Sequence, residues 1–155
     1  MSTVQTRETE SINLENTLEI AEQIGCRLRG GEVVELISDL GGGKTAFVKG
    51  LAKGIGYDGV VRSPSFTIKN QYQNDDITIH HFDFYRLHEP GIMKQELAEI
   101  LSDPKAVVVV EWAELVSDVL PLEHLMIDIK VISDSSRKLV FKYPDKYEYL
   151  FPTNT

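Results

Sequence analysis

The sequence predicts an α/β protein built on a mixed sheet with few helices, and three observations carry that prediction. A helix, a short buried strand, a glycine-dense turn and a second helix follow one another through residues 13–56. The run Val107-Val108-Val109-Val110 is purely β-branched, as in a strand covered on both faces. The remainder is strand-rich, with polar turns between short apolar runs.

Each element has its own signal. Leu14, Leu18, Ala21, Ile24 and Leu28 recur at spacings of three and four, with Asn13 as N-cap and Gly30-Gly31 as the stop. Residues 33–37 form an apolar run, read as a buried strand. Phe47, Val48, Leu51, Ala52 and Ile55 mark the buried face of the next helix, with Lys49 and Lys53 pointing away and Gly56 ending it. Residues 66–72 and 77–84 read as a hairpin around Gln73-Asn74-Asp75-Asp76. Residues 92–101 read as a helix with Pro104 beyond it. Strands over 125–131 and 138–143 flank the turn Ser133-Asp134-Ser135-Ser136. Residues 1–155 make one domain, since a single core serves up to about 200 residues. Residues 1–10 are Thr/Glu-rich and read as a tail or an edge strand, and residues 144–155 as a C-terminal tail.

Composition narrows the function classes. The net charge of −8 argues against coating nucleic acid by bulk charge, although a local contact stays open. The charge is uneven: within 44–73, Lys44, Lys49, Lys53, Arg62 and Lys69 face Asp58 alone, either as a solvated helix face or as a field that steers an acidic partner. Cys26 is the single cysteine, so no intramolecular disulfide forms, and it reads as a packing or surface residue. No apolar run approaches the ~18 residues of a membrane span, and the N-terminus lacks a signal-peptide core. The expectation is a cytoplasmic protein with no membrane partner.

The segment Ser38-Asp39-Leu40-Gly41-Gly42-Gly43-Lys44-Thr45-Ala46 lies between a buried strand and an amphipathic helix, the context of a phosphate loop. Glycines let the backbone aim N–H groups inward, and the helix presents its positive end to phosphates. Lys44 can reach the β and γ phosphates, and the Thr45 hydroxyl can bind Mg²⁺. The usual pattern begins with glycine where this chain has Ser38, a change that strains the turn only if φ is positive there. Such a loop needs an acid at a neighbouring strand end. Glu111, closing the 107–110 run before the lone tryptophan Trp112, is the first choice and an ordinary strand-end charge the alternative. Asp83, among aromatics, is the second. Ser63-Pro64-Ser65 is a plain turn or a nucleotide-sensing switch. His80 and His81 face opposite sides of a strand, so packing or surface roles suit them better than shared metal ligation.

Asp39-Leu40-Gly41-Gly42-Gly43-Lys44-Thr45, Ser63-Pro64-Ser65-Phe66, His81-Phe82-Asp83-Phe84-Tyr85-Arg86-Leu87 and Glu111-Trp112 together resemble the TsaE (YjeE) family. These are small bacterial P-loop ATPases of tRNA threonylcarbamoyladenosine (t6A) biosynthesis. The resemblance spans roughly residues 10–142, and its most specific parts are the HFD-x-YR stretch and the EW pair. The family usually has Ser-Pro-Thr where this chain has Ser63-Pro64-Ser65, a change that keeps a hydroxyl.

The resemblance implies a P-loop NTPase-like core of mostly parallel strands extended by antiparallel ones. It implies ATP binding and slow, partner-dependent hydrolysis with Mg²⁺. The implied partners are a TsaD–TsaB pair that transfers a threonylcarbamoyl group to N6 of adenosine 37 in tRNAs reading codons that begin with A. Lys44 and the loop from Asp39 to Ala46 would hold phosphates, and Thr45 and Glu111 would serve Mg²⁺. Asp83 would lie near the metal and γ-phosphate, Trp112 beside the nucleotide, and Ser136 and Arg137 near the adenine or ribose. For hydrolysis Glu111 is the first choice to orient water, and Asp83 the alternative. A small-molecule kinase and a nucleotide-dependent binding switch are the competing classes. A GTPase is disfavoured because no N-K-x-D motif is present.

Overall fold

Seven strands form one mixed sheet in the order β1-β7-β6-β2-β5-β4-β3. The computed structural model describes residues 3–38, 43–64, 68–86 and 91–151. The strands are β1 (Val4–Ser11), β2 (Val33–Ser38), β3 (Lys69–Gln73), β4 (Thr78–Asp83), β5 (Ala106–Glu111), β6 (Leu125–Val131) and β7 (Arg137–Pro144). The helices are α1 (Leu14–Gly25), α2 (Lys44–Gly54) and α3 (Gly91–Leu101). The centre is parallel, with β2 between β5 and β6 and β4 beside β5. Antiparallel pairs extend both sides, β3 on β4 and β7 on β6 with β1 at the edge. This is the mixed α/β class read from the sequence.

The hydrophobic pattern explains the layers. All six residues of β5 are buried, because α1 and α2 cover one face of the sheet and α3 with its neighbours the other. Val107 and Val109 join the core under α2, while Val108 and Val110 pack with Phe82, Phe84 and Leu97 on the α3 side. The α2 face is the one its spacing marks: Phe47, Val48, Leu51, Ala52 and Ile55 are all buried. Its C-terminus closes in a double turn. Gly56, at φ 90°, donates to the Lys53 carbonyl at 2.9 Å and Tyr57 donates to the Ala52 carbonyl at 3.0 Å.

Several boundaries differ from the sequence reading. Asn13 does cap α1, its side chain accepting the Asn16 N–H at 2.8 Å, but the helix stops at Gly25 rather than running to Gly30-Gly31. Leu14, on the first turn, is exposed instead of buried. β3 starts at Lys69, not residue 66, because Ile68 adopts φ 68°, outside the extended region. Phe66 lies outside the described residues. Of the two readings of the N-terminal segment the edge strand holds: β1, Val4–Ser11, is paired with β7 along its whole length. The expected C-terminal tail over 144–155 is corrected as far as residue 151, the rest lying outside the described residues: Pro144 closes β7, and Asp145–Leu150 forms a 3₁₀ turn. Tyr147, Leu150 and Phe151 are buried, because the aromatic and aliphatic side chains of this turn have a sheet face to cover. Phe151 stacks on Tyr143 with ring centroids 4.3 Å apart.

Candidate functional site

The site lies at the carboxyl ends of β2, β4 and β5, where open α/β sheets form their ligand crevices. Backbone register does the first part of the assembly. Asp83 ends β4 and is paired with Glu111, which ends β5, while Leu36 of β2 flanks Glu111 on the other side. Side chains alternate along a strand, so His81 and Asp83 share the α2-facing side with Val109 and Glu111.

Gly43 does the second part. Its φ of 108° is a left-handed conformation that favours glycine, and it caps the amino end of α2 immediately before Lys44. Lys44 thereby points back across the sheet end, its Nζ 3.2 Å from Oε1 of Glu111. Glu111 is almost fully buried, and its other oxygen, Oε2, lies 2.5 Å from Nε2 of the fully buried His81. Burial alone would push the Glu111 carboxyl up. Its bonds to His81 and Lys44 outweigh that and hold it below the ordinary glutamate range, so it stays a carboxylate.

The remaining expected residues fall as follows. Asp83 is buried and accepts the Tyr85 N–H at 3.0 Å, which fixes the turn leaving β4. Thr45 and Ala46 follow Lys44 in the first turn of α2. Trp112 comes directly after Glu111 at φ 57° and is 45% exposed, its ring 5.0 Å from that of Tyr85. The left-handed backbone at a bulky residue turns the indole away from the core and across the mouth of the site. Arg137 begins β7, its guanidinium donating to the carbonyls of Ser133 and Ser136, each at 2.9 Å. Asp39, Leu40, Gly41 and Gly42 lie outside the described residues, as does Ser65 of the Ser63-Pro64-Ser65 motif. Ser38 is the last residue of β2, paired with Ile129, and its φ is not positive. Its Cβ therefore causes no strain of the kind a glycine would be needed to avoid.

Two concavities lie at the start of α2. One, about 90 Å³, is lined by Glu35, Ser38, Lys44, Trp112 and Glu114. The other, about 360 Å³, joins Gly43 to Leu14 and Thr17 of α1 and to Asp134, Ser135 and Arg137 of the β6–β7 hairpin. Among the described residues no cluster of three or more His, Cys, Asp or Glu side chains could hold a metal unaided. A Mg²⁺ ion that keeps water and phosphate ligands needs only one or two protein oxygens; the residues that could supply them are Asp83 and Glu111, register partners at the ends of β4 and β5, and Thr45 in the first turn of α2.

Sequence reasoning missed two residues here. His81, assigned to packing or surface, holds Glu111. Its signals were its place at the head of the HFD-x-YR stretch and two residues before Asp83, and neither gives it a role until β4 is known to lie parallel to β5. His124 is bonded through Nε2 to Glu35 at 2.9 Å and through Nδ1 to the Pro121 carbonyl at 2.8 Å, beside the smaller concavity. Nothing in its local sequence marks that role.

The fold and site define a class: an α/β protein whose central parallel strands bring a buried carboxylate and a histidine to one sheet end, against a lysine at the start of a helix. The family model for threonylcarbamoyl adenosine biosynthesis protein TsaE matches residues 11–139. A Bacillus subtilis protein named tRNA threonylcarbamoyladenosine biosynthesis protein TsaE is 37% identical over 90% of this chain and 88% of its own. Its namesake from Aquifex aeolicus is 34% identical over 81% of this chain and 87% of its own. The crystal structure of Bacillus subtilis YdiB superposes with a TM-score of 0.78 and 33% identity, covering 97% of this chain and 94% of that one. The chain belongs to the TsaE family, whose members are named for tRNA t6A biosynthesis. Among the described residues no helix is long and apolar enough to cross a membrane.

Proposed function

We propose that this chain binds ATP with Mg²⁺ and hydrolyses it slowly, in the cytoplasm, in support of threonylcarbamoyl transfer to N6 of adenosine 37 of tRNA by a TsaD–TsaB pair. The observation that carries this reading is the Lys44–Glu111 pair at the junction of β2, α2 and β5. A lysine at a helix start, beside a carboxylate on the neighbouring parallel strand, is what phosphoryl chemistry demands. The loop from Asp39 to Gly43 and the start of α2 would hold the β and γ phosphates. The cavity bounded by Gly43, Thr17 and Arg137 has room for a nucleoside, in keeping with a base or ribose site near Ser136 and Arg137.

ATP with Mg²⁺ supplies the phosphoryl group and a neutralising cation. Everything else falls to the chain. Lys44 exchanges Glu111 for phosphate oxygens and offsets the charge that develops on them. Glu111, freed at Oε1, orients a water whose oxygen bonds to the γ-phosphorus as the bridging P–O bond breaks. The products are ADP and inorganic phosphate, and both protons of the water leave with the phosphate, which passes one on to solvent. Thr45 and Asp83 would hold the cation, which would neutralise phosphate charge. Trp112 and Tyr85 cover the mouth.

The test is ATP hydrolysis by the chain alone, with the partner pair, and with partners plus tRNA. Weak turnover alone that changes on adding the partners supports the reading. Phosphoryl transfer to a small acceptor without partners supports a kinase instead.

A further inference from the structure

We infer that His81 is a positioning residue for Glu111: its Nε2–H holds one carboxylate oxygen so that the other stays aimed at the phosphate site when Lys44 departs. The inference deepens the proposed ATPase reading and rests on it for its catalytic part. Three observations support it. The two oxygens of Glu111 have separate partners, Oε2 with His81 at 2.5 Å and Oε1 with Lys44 at 3.2 Å. The elements carrying those partners differ in kind. His81 is fixed within β4, two residues before the Asp83–Glu111 register pair, whereas Lys44 is a long side chain at the start of a helix. Lys44 can therefore swing to a phosphate while His81 cannot move without the sheet.

The third observation is a cost that packing alone would not keep. Nδ1 of His81 is buried with no hydrogen-bond partner among the described residues. Since Nε2 faces a carboxylate, Nε2 carries a proton, and Nδ1 is left unpaired. An apolar side chain would fill the same space under α2 without an orphaned polar atom, so the imidazole is accounted for by the one bond it makes. Without that bond Glu111 keeps its place only while Lys44 is there to hold it. The moment that matters for hydrolysis is when Lys44 is engaged elsewhere.

Two substitutions separate this from a merely structural role. His81→Leu removes the donor. His81→Gln restores a donor near the position of Nε2 but cannot ionise. In single-turnover ATP hydrolysis, His81→Leu is expected to lower the rate by about 10²-fold, with the affinity for ADP in the absence of Mg²⁺ changed by no more than about twofold. His81→Gln is expected to recover most of the lost rate. A His81→Leu protein with the wild-type rate overturns the inference, as does a folded His81→Gln protein as slow as His81→Leu.

A second measurement does not depend on ATP. Thermal unfolding of His81→Leu, Glu111→Leu and the double variant should show strong non-additivity, because the second substitution removes a bond already broken by the first. Additive shifts overturn the inference whatever the hydrolysis data show. If the wild type neither binds nor hydrolyses ATP, the ATPase reading fails. The unfolding cycle then still decides whether His81 holds Glu111.

Discussion

Replacing Glu111 by glutamine tests the site by changing one charge at constant shape. In the wild type both carboxylate oxygens accept, from Lys44 at 3.2 Å and from His81 at 2.5 Å. Glutamine turns one oxygen into a donor. If its NH₂ faces Lys44, a donor meets a cation. If it faces His81, the imidazole must shift its proton to Nδ1, which is buried with no partner among the described residues. Either way one buried polar group is left unsatisfied, a cost of about 1–3 kcal/mol. For a chain of this length about 2 kcal/mol corresponds to a fall in Tm of about 4–8 °C. The carboxylate in the folded protein is held below its ordinary range by His81 and Lys44 against the opposing effect of burial. Its stabilisation is therefore present above the unfolded carboxylate pKa and is lost as pH falls through the folded value. Glu111→Gln should flatten that acid limb of a Tm-against-pH curve. Turnover should fall by about 10²–10⁴-fold, or about 3–5 kcal/mol of barrier, with nucleotide affinity largely kept. Calorimetric ADP titration, single-turnover hydrolysis and scanning calorimetry read the three effects. Wild-type turnover with wild-type Tm would refute the reasoning.

Two further outcomes follow from neighbouring residues. The His124 pKa is raised, chiefly by its hydrogen bond to Glu35, against burial that would lower it. Its stabilisation is complete below the unfolded histidine value of about 6.5 and is lost as pH rises through the folded value, so His124→Gln should flatten the Tm profile on that limb. Trp112, half-exposed across the mouth of the site, should change its emission on titration with ADP; a flat titration at saturation would remove it from the nucleotide's vicinity.

Local rules carried much of the fold. The α2 face was legible because Phe47, Val48, Leu51, Ala52 and Ile55 keep helical spacing, and β5 because four consecutive valines suit only a strand buried on both sides. β1 was ambiguous, since alternating polar residues on an edge strand look like a solvated tail until β7 pairs with them. The segment after β7 was misread for a related reason: Tyr147, Leu150 and Phe151 are too widely spaced to form a run, and only the sheet face they cover makes them core. At the site, Lys44 and Glu111 were each recognisable from strand and turn context. Their meeting depends on β2 and β5 being adjacent and parallel, which local spacing does not encode. The role of His81 depends on the β4–β5 register in the same way. The alternation that put His80 and His81 on opposite faces was sound, but it gave no hint of which face held a carboxylate.

The most direct test of the account is a reconstituted tRNA modification assay that compares the wild type with Lys44→Ala, in the presence of the TsaD–TsaB pair, threonylcarbamoyl donor, ATP and tRNA. Lys44 is the group paired with Glu111 at the proposed phosphate site, so its loss should abolish ATP turnover by this chain and with it sustained t6A formation. Sustained t6A formation by a folded Lys44→Ala protein at the wild-type rate would contradict the claim that nucleotide chemistry at this site serves the modification.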